Sequence, residues 1–592
     1  MDTSSATAQK LKVIDDKIKV AERATQELKR RHNALVPISC LPPETFVEIF
    51  SLLPSPPDDS KRVPYLEWIS VTHVCHQWRE IALHSPYLWN HINFTKLTLA
   101  GTTEIFARAK MSPLRLEAKI TPRRKAQFNA FKRQLEVHIS HIRHLSISGG
   151  FQAVLKRLVS PAPALESLSL TTSSYPYKSS QYVIPDSLFT GTVPKLTRLE
   201  LFGCRIGWKS PLLKGLQYLK IWMHSAHGIP TLEDWLAGLN EMPQLKSLSL
   251  NNATPTISVD NPHISEPQRT VTLPSLTHFN ITASAKDCAL ALAHLVLPAL
   301  ISLRVTPESE SQDGDGMRLL IPHIARNAHG PQDTAPLQSI ILMGGEEHAE
   351  IVAWTVPDAE VKVCDPGTLT KAAVSARLVF SVESDSEWRD GVETAVFDPM
   401  LSHLPLNAIS TLSVQNDTRL SKELWLSLAP MLTKLNRVLL VSAAVRAFGE
   451  MLEEDAPPNG LPRLPRLTKL ILFKVQLTKP VTYQLRDMLV KRKRHGAPLE
   501  VLDLRTCIGT ERAIGLLSKI VGNVQRPAKT LEVIGLSEFS DWEESVSSFD
   551  EEEHTDVDEY DDGPGCWHGL MAEGEDEDED EDEDESDDYD EE

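Results

Sequence analysis

The chain has 592 residues, and its 81 Asp and Glu against 61 Lys and Arg give a formal net charge of −20. That charge is uneven: residues 541–592 hold 29 acidic side chains and no Lys or Arg, which leaves 81 − 29 = 52 acidic and 61 basic groups elsewhere, a net of +9. A mildly basic body with a polyanionic end excludes a uniformly acidic surface and argues against a dedicated nucleic-acid binder. At about 150 residues per domain the length suits about four domains or one long repeat array. With 41% apolar and 24% charged residues, and only 27 Gly and 40 Pro, the chain is neither collagen-like nor wholly disordered. The closest two of its seven cysteines, Cys40 and Cys75, stand 35 residues apart. That spacing makes neither a disulfide framework nor a zinc knuckle, and it points to a reducing compartment. The opening MDTSSATAQKLKVIDDKIKV lacks the apolar core of a signal peptide. The most apolar stretch, Cys288–Leu303, is 16 residues long and is interrupted by His294 and Pro298, too short to span a bilayer. The expectation is cytoplasmic and/or nuclear residence with no membrane partner.

Residues 8–36 form the first unit. Leu11, Ile14, Ile18, Ala21, Thr25, Leu28, His32 and Leu35 alternate three and four apart, the a/d seam of a coiled coil. One reading is weak self-association through this helix. The preferred one is a helix that packs on the body or frays, because lone helices of this length are marginal in water.

Residues 38–95 form the second unit. Leu41-Pro42-Pro43-Glu44 reads as a helix start, with Pro in the first turn and an acid at the positive end of the dipole. Phe46, Ile49, Phe50 and Leu53 follow at helical spacing, and Pro54, Pro56 and Pro57 stop the run. A second helix is expected from about Glu67, with Val71, Val74, Cys75, Trp78, Ile81 and Ala82 as its apolar stripe. Ser85-Pro86 ends it and Leu88-Trp89 trail behind. About 60 residues is marginal for a solitary core, so a partner or a neighbouring domain is implied.

LPPETFVEIFSLLP followed by VTHVCHQWREIALHSPYLW resembles the F-box motif, over about a tenth of the chain. The family pattern falls on Leu41, Pro42, Glu44, Ile49, Phe50, Leu53, Val74, Cys75, Trp78, Arg79, Leu88 and Trp89. The loop PSPPDDSKRVPYLE is longer than in compact members. A short charged helix before an F-box is similar to the layout of the large F-box-like families of mushroom-forming fungi. The resemblance implies a small all-helical module that binds a Skp-type adaptor and, through it, a cullin. Ile49, Phe50, Val74, Trp78, Leu88 and Trp89 would be adaptor contacts or their supports. Leu41, Pro42, Leu53 and Cys75 complete the set that divides between adaptor binding and the module's own core.

Residues 96–139 read as a connecting region. From 140 to 540 a Leu-x-x-Leu-x-Leu phrase recurs: Leu165-Glu166-Ser167-Leu168-Ser169-Leu170, then copies at 196, 216, 245, 276, 300, 337, 409, 435, 467, 499 and 531, with an earlier candidate at 142. Each phrase is a strand with apolar side chains on one face, which only stacking against neighbours can bury. The array resembles a leucine-rich-repeat solenoid. It is irregular, because starts lie 20 to 37 residues apart and copies 337 and 409 are 72 apart. Two cryptic repeats are expected between 343 and 408, with strands at Ala359–Val363 and Ala376–Val382. From Glu575 to Glu585 every residue is acidic, so 541–592 should be a disordered tail. The fold class is therefore α/β overall: a short N-terminal helix, a small helical F-box, an irregular solenoid and an acidic tail.

No nucleotide loop, HExxH or paired-cysteine pattern appears. Asp313-Gly314-Asp315-Gly316 hints at a calcium loop, but Met317 takes the next ligand position. His73, Cys75 and His76 lie close in sequence, yet residues 75 and 76 point to different faces of a helix. Cys75 reads as a packed thiol. Cys204 and Cys507 occupy the repeat's internal polar slot, where a buried side chain caps loop backbone. Lys491-Arg492-Lys493-Arg494 reads as the solvated end of a helix over Val481–Lys493, in preference to a nuclear import signal. Neither a cofactor, a metal nor a catalytic set is expected. The function expected from this layout is a non-catalytic substrate receptor of a Skp–cullin–F-box ubiquitin ligase, its protein substrate not readable. The alternative is an acidic-tailed leucine-rich-repeat scaffold for basic proteins in the nucleus.

Overall fold

The computed structural model describes residues 3–53, 66–121, 125–156, 158–172, 182–223, 230–256, 269–308, 315–329, 335–345, 348–357, 375–383, 393–416, 418, 420–454 and 462–526. Two compact units divide the chain, Met1–Glu532 and Val533–Glu592. All described elements belong to the first. The acidic tail, the phrase at 531 and the strand expected at 359–363 lie outside the described residues.

The architecture is mixed α/β, with N-terminal helices ahead of a large, mostly parallel sheet. Helix α1 (Thr3–Ala34) ends in Arg31 and His32, cations that suit its negative C-terminal dipole. Its seam is exposed and does not pack on the body: Leu11 and Ile14 are 56% and 52% exposed and Leu28 is 67% exposed. Helix α2 (Pro43–Ser51) starts with Pro at its first position and Glu44 in its first turn. The single helix expected from Glu67 is divided. A 3-10 segment, Glu67–His73, precedes helix α3 (His76–His84), and Cys75 between them is extended, with φ −156° and ψ 170°. Ile69, Val71, Thr72 and Val74 are β-branched and lose rotamer freedom in a helix, so the break falls where helix propensity is weakest.

The chain then enters the sheet. Strand β1 (His91–Asn93), helix α4 (Leu99–Ala109), strand β2 (Leu114–Ile120) and helix α5 (Lys125–His138) follow in order. Residues 96–139, read from the sequence as a connection, thus contribute a full strand. Strands β3 (Ile142–Gly149), β4 (Ser167–Thr171), β5 (Arg198–Phe202), β6 (Tyr218–Trp222), β7 (Ser247–Asn251), β8 (His278–Ser284) and β9 (Ser302–Glu308) come next. From β1 to β9 each strand pairs in parallel with its successor. The register aligns the phrase: Leu145, Leu168, Leu199, Leu219 and Leu248 are successive partners, each at most 1% exposed. Burying one leucine contributes about 1.5–3 kcal/mol, against about 1–2 kcal/mol per residue of backbone ordering. One strand cannot meet that cost alone, and a stacked row can.

After β9 the order changes. Strands β10 (Ser339–Gly344), β11 (His348–Trp354), β12 (Leu378–Glu383) and β13 (Thr411–Asn416) do not follow one another in space. Strand β12 lies beside β9 in parallel, β11 is antiparallel to both β12 and β10, and β10 is parallel to β13. The two phrases 72 residues apart are therefore neighbours, with Ser339 opposite Thr411. In place of two cryptic repeats the chain makes a three-strand meander. Its β12 agrees with the strand expected at Ala376–Val382, and its β11 had not been anticipated. The Gly344-Gly345 pair that turns β10 into β11, with Gly345 N–H donating to His348 O at 2.9 Å, is a hairpin signal. Strands β14 (Arg437–Val441), β15 (Lys469–Phe473), β16 (Val501–Asp503) and β17 (Asn523–Gln525) complete a 17-stranded sheet among the described residues.

Helices on the core side carry side-chain caps: Thr231, Ser284, Ser421 and Thr510 each accept the N–H of the residue three further on. The polar slot of the phrase is filled as expected at two places. The Cys204 thiol donates to Leu170 O at 3.7 Å and that of Cys507 to Leu472 O at 3.2 Å. Burial pushes these thiols up to about 12 and about 11, so both stay protonated and unreactive. Elsewhere buried arginines do this work. Arg377 reaches the carbonyls of Leu300 and Asn327, and Arg326 those of Leu292 and Leu295. Arg492, 3% exposed, donates to Arg463 O, Leu464 O and Leu467 O at 2.8, 3.1 and 3.3 Å. The basic run 491–494 is thus partly an internal clamp, at the end of a helix spanning Lys479–Arg494. Arg492→Met would leave three carbonyls short of a charged donor. It should cost about 2–4 kcal/mol, read as a lower urea midpoint at unchanged slope.

Candidate interaction surfaces

The residues that the sequence grouped as one motif separate in the structure into an inner and an outer set. Phe46, Phe50 and Trp78 form an aromatic triad, with ring centroids 5.8, 5.6 and 5.2 Å apart. Phe50 is fully buried, and Leu88 and Trp89 nearly so. Trp89 donates Nε1–H to Ala82 O at 2.8 Å and meets Trp68 edge-on at 4.9 Å. Trp78, Leu41 and Cys75 are half-buried. These are supports. Ile49, Leu53 and Val74 are 39%, 46% and 59% exposed, and Leu52 beside them is 81% exposed; Pro42 is exposed as well. Cys75 caps α3 and is not part of a continuous stripe. Trp68 was missed by sequence reading, although it lies three residues before the buried Val71 and repeats the helical spacing of the stripe.

The module is joined to the sheet through its last strand. β1 pairs with β2, placing His91 opposite Arg115 and Asn93 opposite Glu117. Glu117 accepts from Asn93 Nδ2 and Arg115 Nε, each at 3.0 Å, and has His91 Nε2 in ion-pair range at 3.1 Å. The His91 hydrogen bond, with the charges of His91 and Arg115, overcomes burial and holds the Glu117 carboxyl at about 2. From α4, Arg108 lays its guanidinium 4.5 Å above the Trp89 ring and pairs with Glu104 at 2.7 Å.

The face of the sheet opposite the core differs along its length. Over β2–β9 it carries Ser, Thr and Asn with Arg115, Glu117 and Lys119 on β2 and Arg304 and Glu308 on β9, around an island of aromatic and cationic side chains on β5 and β6. Arg198 stacks 3.8 Å over Tyr218 and binds Glu200 at 2.6 Å, and Lys220 stands 4.8 Å over Phe202. Phe202 and Trp222 lie 6.4 Å apart. Burial raises the Tyr218 hydroxyl above its ordinary value, helped by the Glu200 charge. Over β10–β12 the same face is apolar and buried: Ile341, Met343, Val352, Trp354, Ala376 and Val379 form a second cluster apart from the main core. Ser339 and Thr411 donate from this face to Pro357 O at 2.9 and 2.8 Å, so the chain leaving β11 crosses it. The outer face is therefore covered over β10–β13 and open over β2–β9.

Among the described residues no group of three or more His, Cys, Asp or Glu is placed to hold a metal ion. The Asp313–Gly316 hint lies partly outside them, and Asp315 begins a helix, Asp315–Ala328. No described helix is long and apolar enough to cross a membrane.

A family model described as F-box-like matches residues 38–95. No curated protein matches the chain. Among solved structures, the crystal structure of the TLR13–ssRNA13 complex is similar at a TM-score of 0.30 and 12% identity, over 75% of this chain and 50% of that one. The chain thus carries an F-box-like domain at 38–95, a class of module that binds Skp-type adaptors, on the residues whose geometry is given above.

Phe50→Ala should cost about 3–5 kcal/mol through the cavity it leaves, whereas Ile49→Ala should stay within about 0.5 kcal/mol; circular-dichroism melts compare them. Glu117 contributes stability that is fully present above about pH 4.5 and lost as pH falls toward about 2. Urea unfolding at about pH 6 and about pH 3 should show a steeper loss in the wild type than in Glu117→Gln.

Proposed function

We propose that the chain is a non-catalytic substrate receptor of a Skp–cullin–F-box ubiquitin ligase, of the F-box-like type found in mushroom-forming fungi. The F-box-like module takes the Skp-type adaptor and, through it, the cullin. The repeat-phrase sheet, read as an irregular leucine-rich-repeat array, takes a protein substrate. Chemistry belongs to other subunits of the ligase, and this chain contributes proximity. The observation that carries the reading is the outward display of Ile49, Leu52, Leu53 and Val74 on a module whose Phe46, Phe50, Trp68 and Trp89 are committed to its core. Exposed apolar side chains grouped on a small module are a mark of a docking surface. The exposed seam of α1 adds weak self-association to this reading.

A second reading, a nuclear scaffold for basic proteins, is favoured by the 29 acidic residues of 541–592. It leaves the outward apolar set of residues 49–74 unexplained. The two readings separate in one experiment. Wild-type chain should co-purify a Skp-type adaptor, and Ile49→Asp with Val74→Asp should weaken that by at least about tenfold at an unchanged melting temperature. Histone capture without any adaptor by the wild type would reverse the assignment.

A further inference from the structure

The aromatic island on β5 and β6 borders a cavity of about 260 Å³ at the C-terminal edge of the same strands. Phe202 and Trp222 are the last residues of β5 and β6 on the open face. The inward-facing Ile221 and Met223 on either side of Trp222, with Ile206, Trp208 and Ala253, line the cavity, and Arg205, Asp234 and Asn252 form its polar wall, Asn252 donating to Glu308 at 2.6 Å. Resting on the reading of this face as the recognition surface, we propose that the island and the cavity form one site for an acidic protein segment that inserts a single large apolar side chain.

Charge selects the occupant. Arg115 and Arg198 are each held by a neighbouring glutamate, Glu117 at 3.0 Å and Glu200 at 2.6 Å, and Asp234 at the cavity is matched by Lys209 at 2.7 Å. Lys119 and Lys220 stand on the open face with no carboxylate in ion-pair range among the described residues. Lys220 is held over the Phe202 ring, so it offers a placed positive charge beside aromatic contact area. Tyr, Trp and Arg at the centre of a patch are the residues that dominate interface energy. The flanking Ser169 and Ser249, in register with Glu200 and Lys220, supply adaptable hydrogen bonds. Both edges of β5 and β6 are already paired, so the segment cannot add as a strand and must be read through side chains. A single-stranded nucleic acid fits less well. Its phosphates need a continuous cationic track, and here they would meet Glu117 and Glu200, while the apolar cavity asks for an apolar side chain.

The test pans the full-length chain against a displayed library of random peptides. A synthetic consensus peptide is then measured by fluorescence anisotropy on wild type, Lys220→Glu and Trp222→Ala. The expected consensus is acidic around one Phe, Trp, Leu or Met. Its affinity should fall at least about tenfold in either variant and weaken with salt. Lys220→Glu lies on the open face, and an unchanged circular-dichroism spectrum shows that it folds. Absence of an enriched motif, a basic motif, equal affinity for Lys220→Glu, or tighter binding of an oligo(U) probe than of the consensus peptide would each overturn the proposal. Adaptor co-purification on the same variants separates the two readings. Lys220-dependent peptide binding without adaptor capture sinks the ligase assignment and keeps the site; adaptor capture with no peptide motif does the reverse.

Discussion

The parallel pairing of β1 with β2 is the constraint on which the rest of the molecule turns. Three residues, His91–Asn93, are all that the F-box-like module contributes to the sheet. Yet they place His91 and Asn93 on Glu117, and Glu117 beside Arg115. A module of this size is marginal alone. Here it gains a neighbour: Trp89 packs beneath Arg108 of α4, and one continuous cluster of buried residues runs from Phe46 through Ile92 and Leu116 into the leucine rows. The consequence is mechanical. The outward residues of α2 and the open face of β2–β9 belong to one compact unit. A partner held at one surface is therefore presented at a defined position relative to the other, where a flexible linker would have left that position free.

The meander β10–β12 interrupts the alternation of apolar and polar faces along the sheet. A strand in a repeat array normally shows one apolar face and one polar face. Strands β10 and β11 are buried on both faces, because Ile340 and Leu342 enter the main core while Ile341 and Met343 enter the second cluster. Fully buried strands of this kind read as continuous apolar runs. The outer face of β2–β9, by contrast, keeps polar, charged and a few aromatic side chains alternating with buried apolar ones.

Much of this was legible in the sequence, for a physical reason. The phrase Leu-x-x-Leu-x-Leu demands stacked strands, and it located the strands from β3 to β10 and from β13 to β16. Strand β2, LRLEAKI, alternates as cleanly, but it stood apart from the repeating copies. Strand β11, HAEIVAW, was missed because its apolar residues are not leucines and its pairing is antiparallel, so nothing in a parallel period announces it. Strand β17 was passed over in favour of the phrase at 531. For the F-box-like module, spacing identified the residues but could not divide them. Ile49 and Phe50 are adjacent and both apolar, and only the packing of Phe50 between Phe46 and Trp78 shows which one turns inward.

The same limit explains the buried arginines. In the sequence, Arg377 and Arg492 look like surface charge, and the second sits in a run that resembles a targeting signal. In the structure both are buried against loop carbonyls: Arg377, just ahead of β12, reaches Leu300 O and Asn327 O, and Arg492, at the end of the helix Lys479–Arg494, reaches Arg463 O, Leu464 O and Leu467 O, whereas Cys204 and Cys507 follow their strands. A loop between stacked strands leaves carbonyls that face inward and that neighbouring strands do not reach. An unpaired buried carbonyl is expensive, so something must donate to it. A thiol serves one carbonyl at close range. A guanidinium, with five donors in a fixed fork, serves three at Arg492. Burial draws the Arg492 guanidinium down only to about 10, so it remains charged at neutral pH and keeps its grip. Buried cysteine and buried arginine thus answer one requirement at different places in the repeat: every inward carbonyl needs a donor.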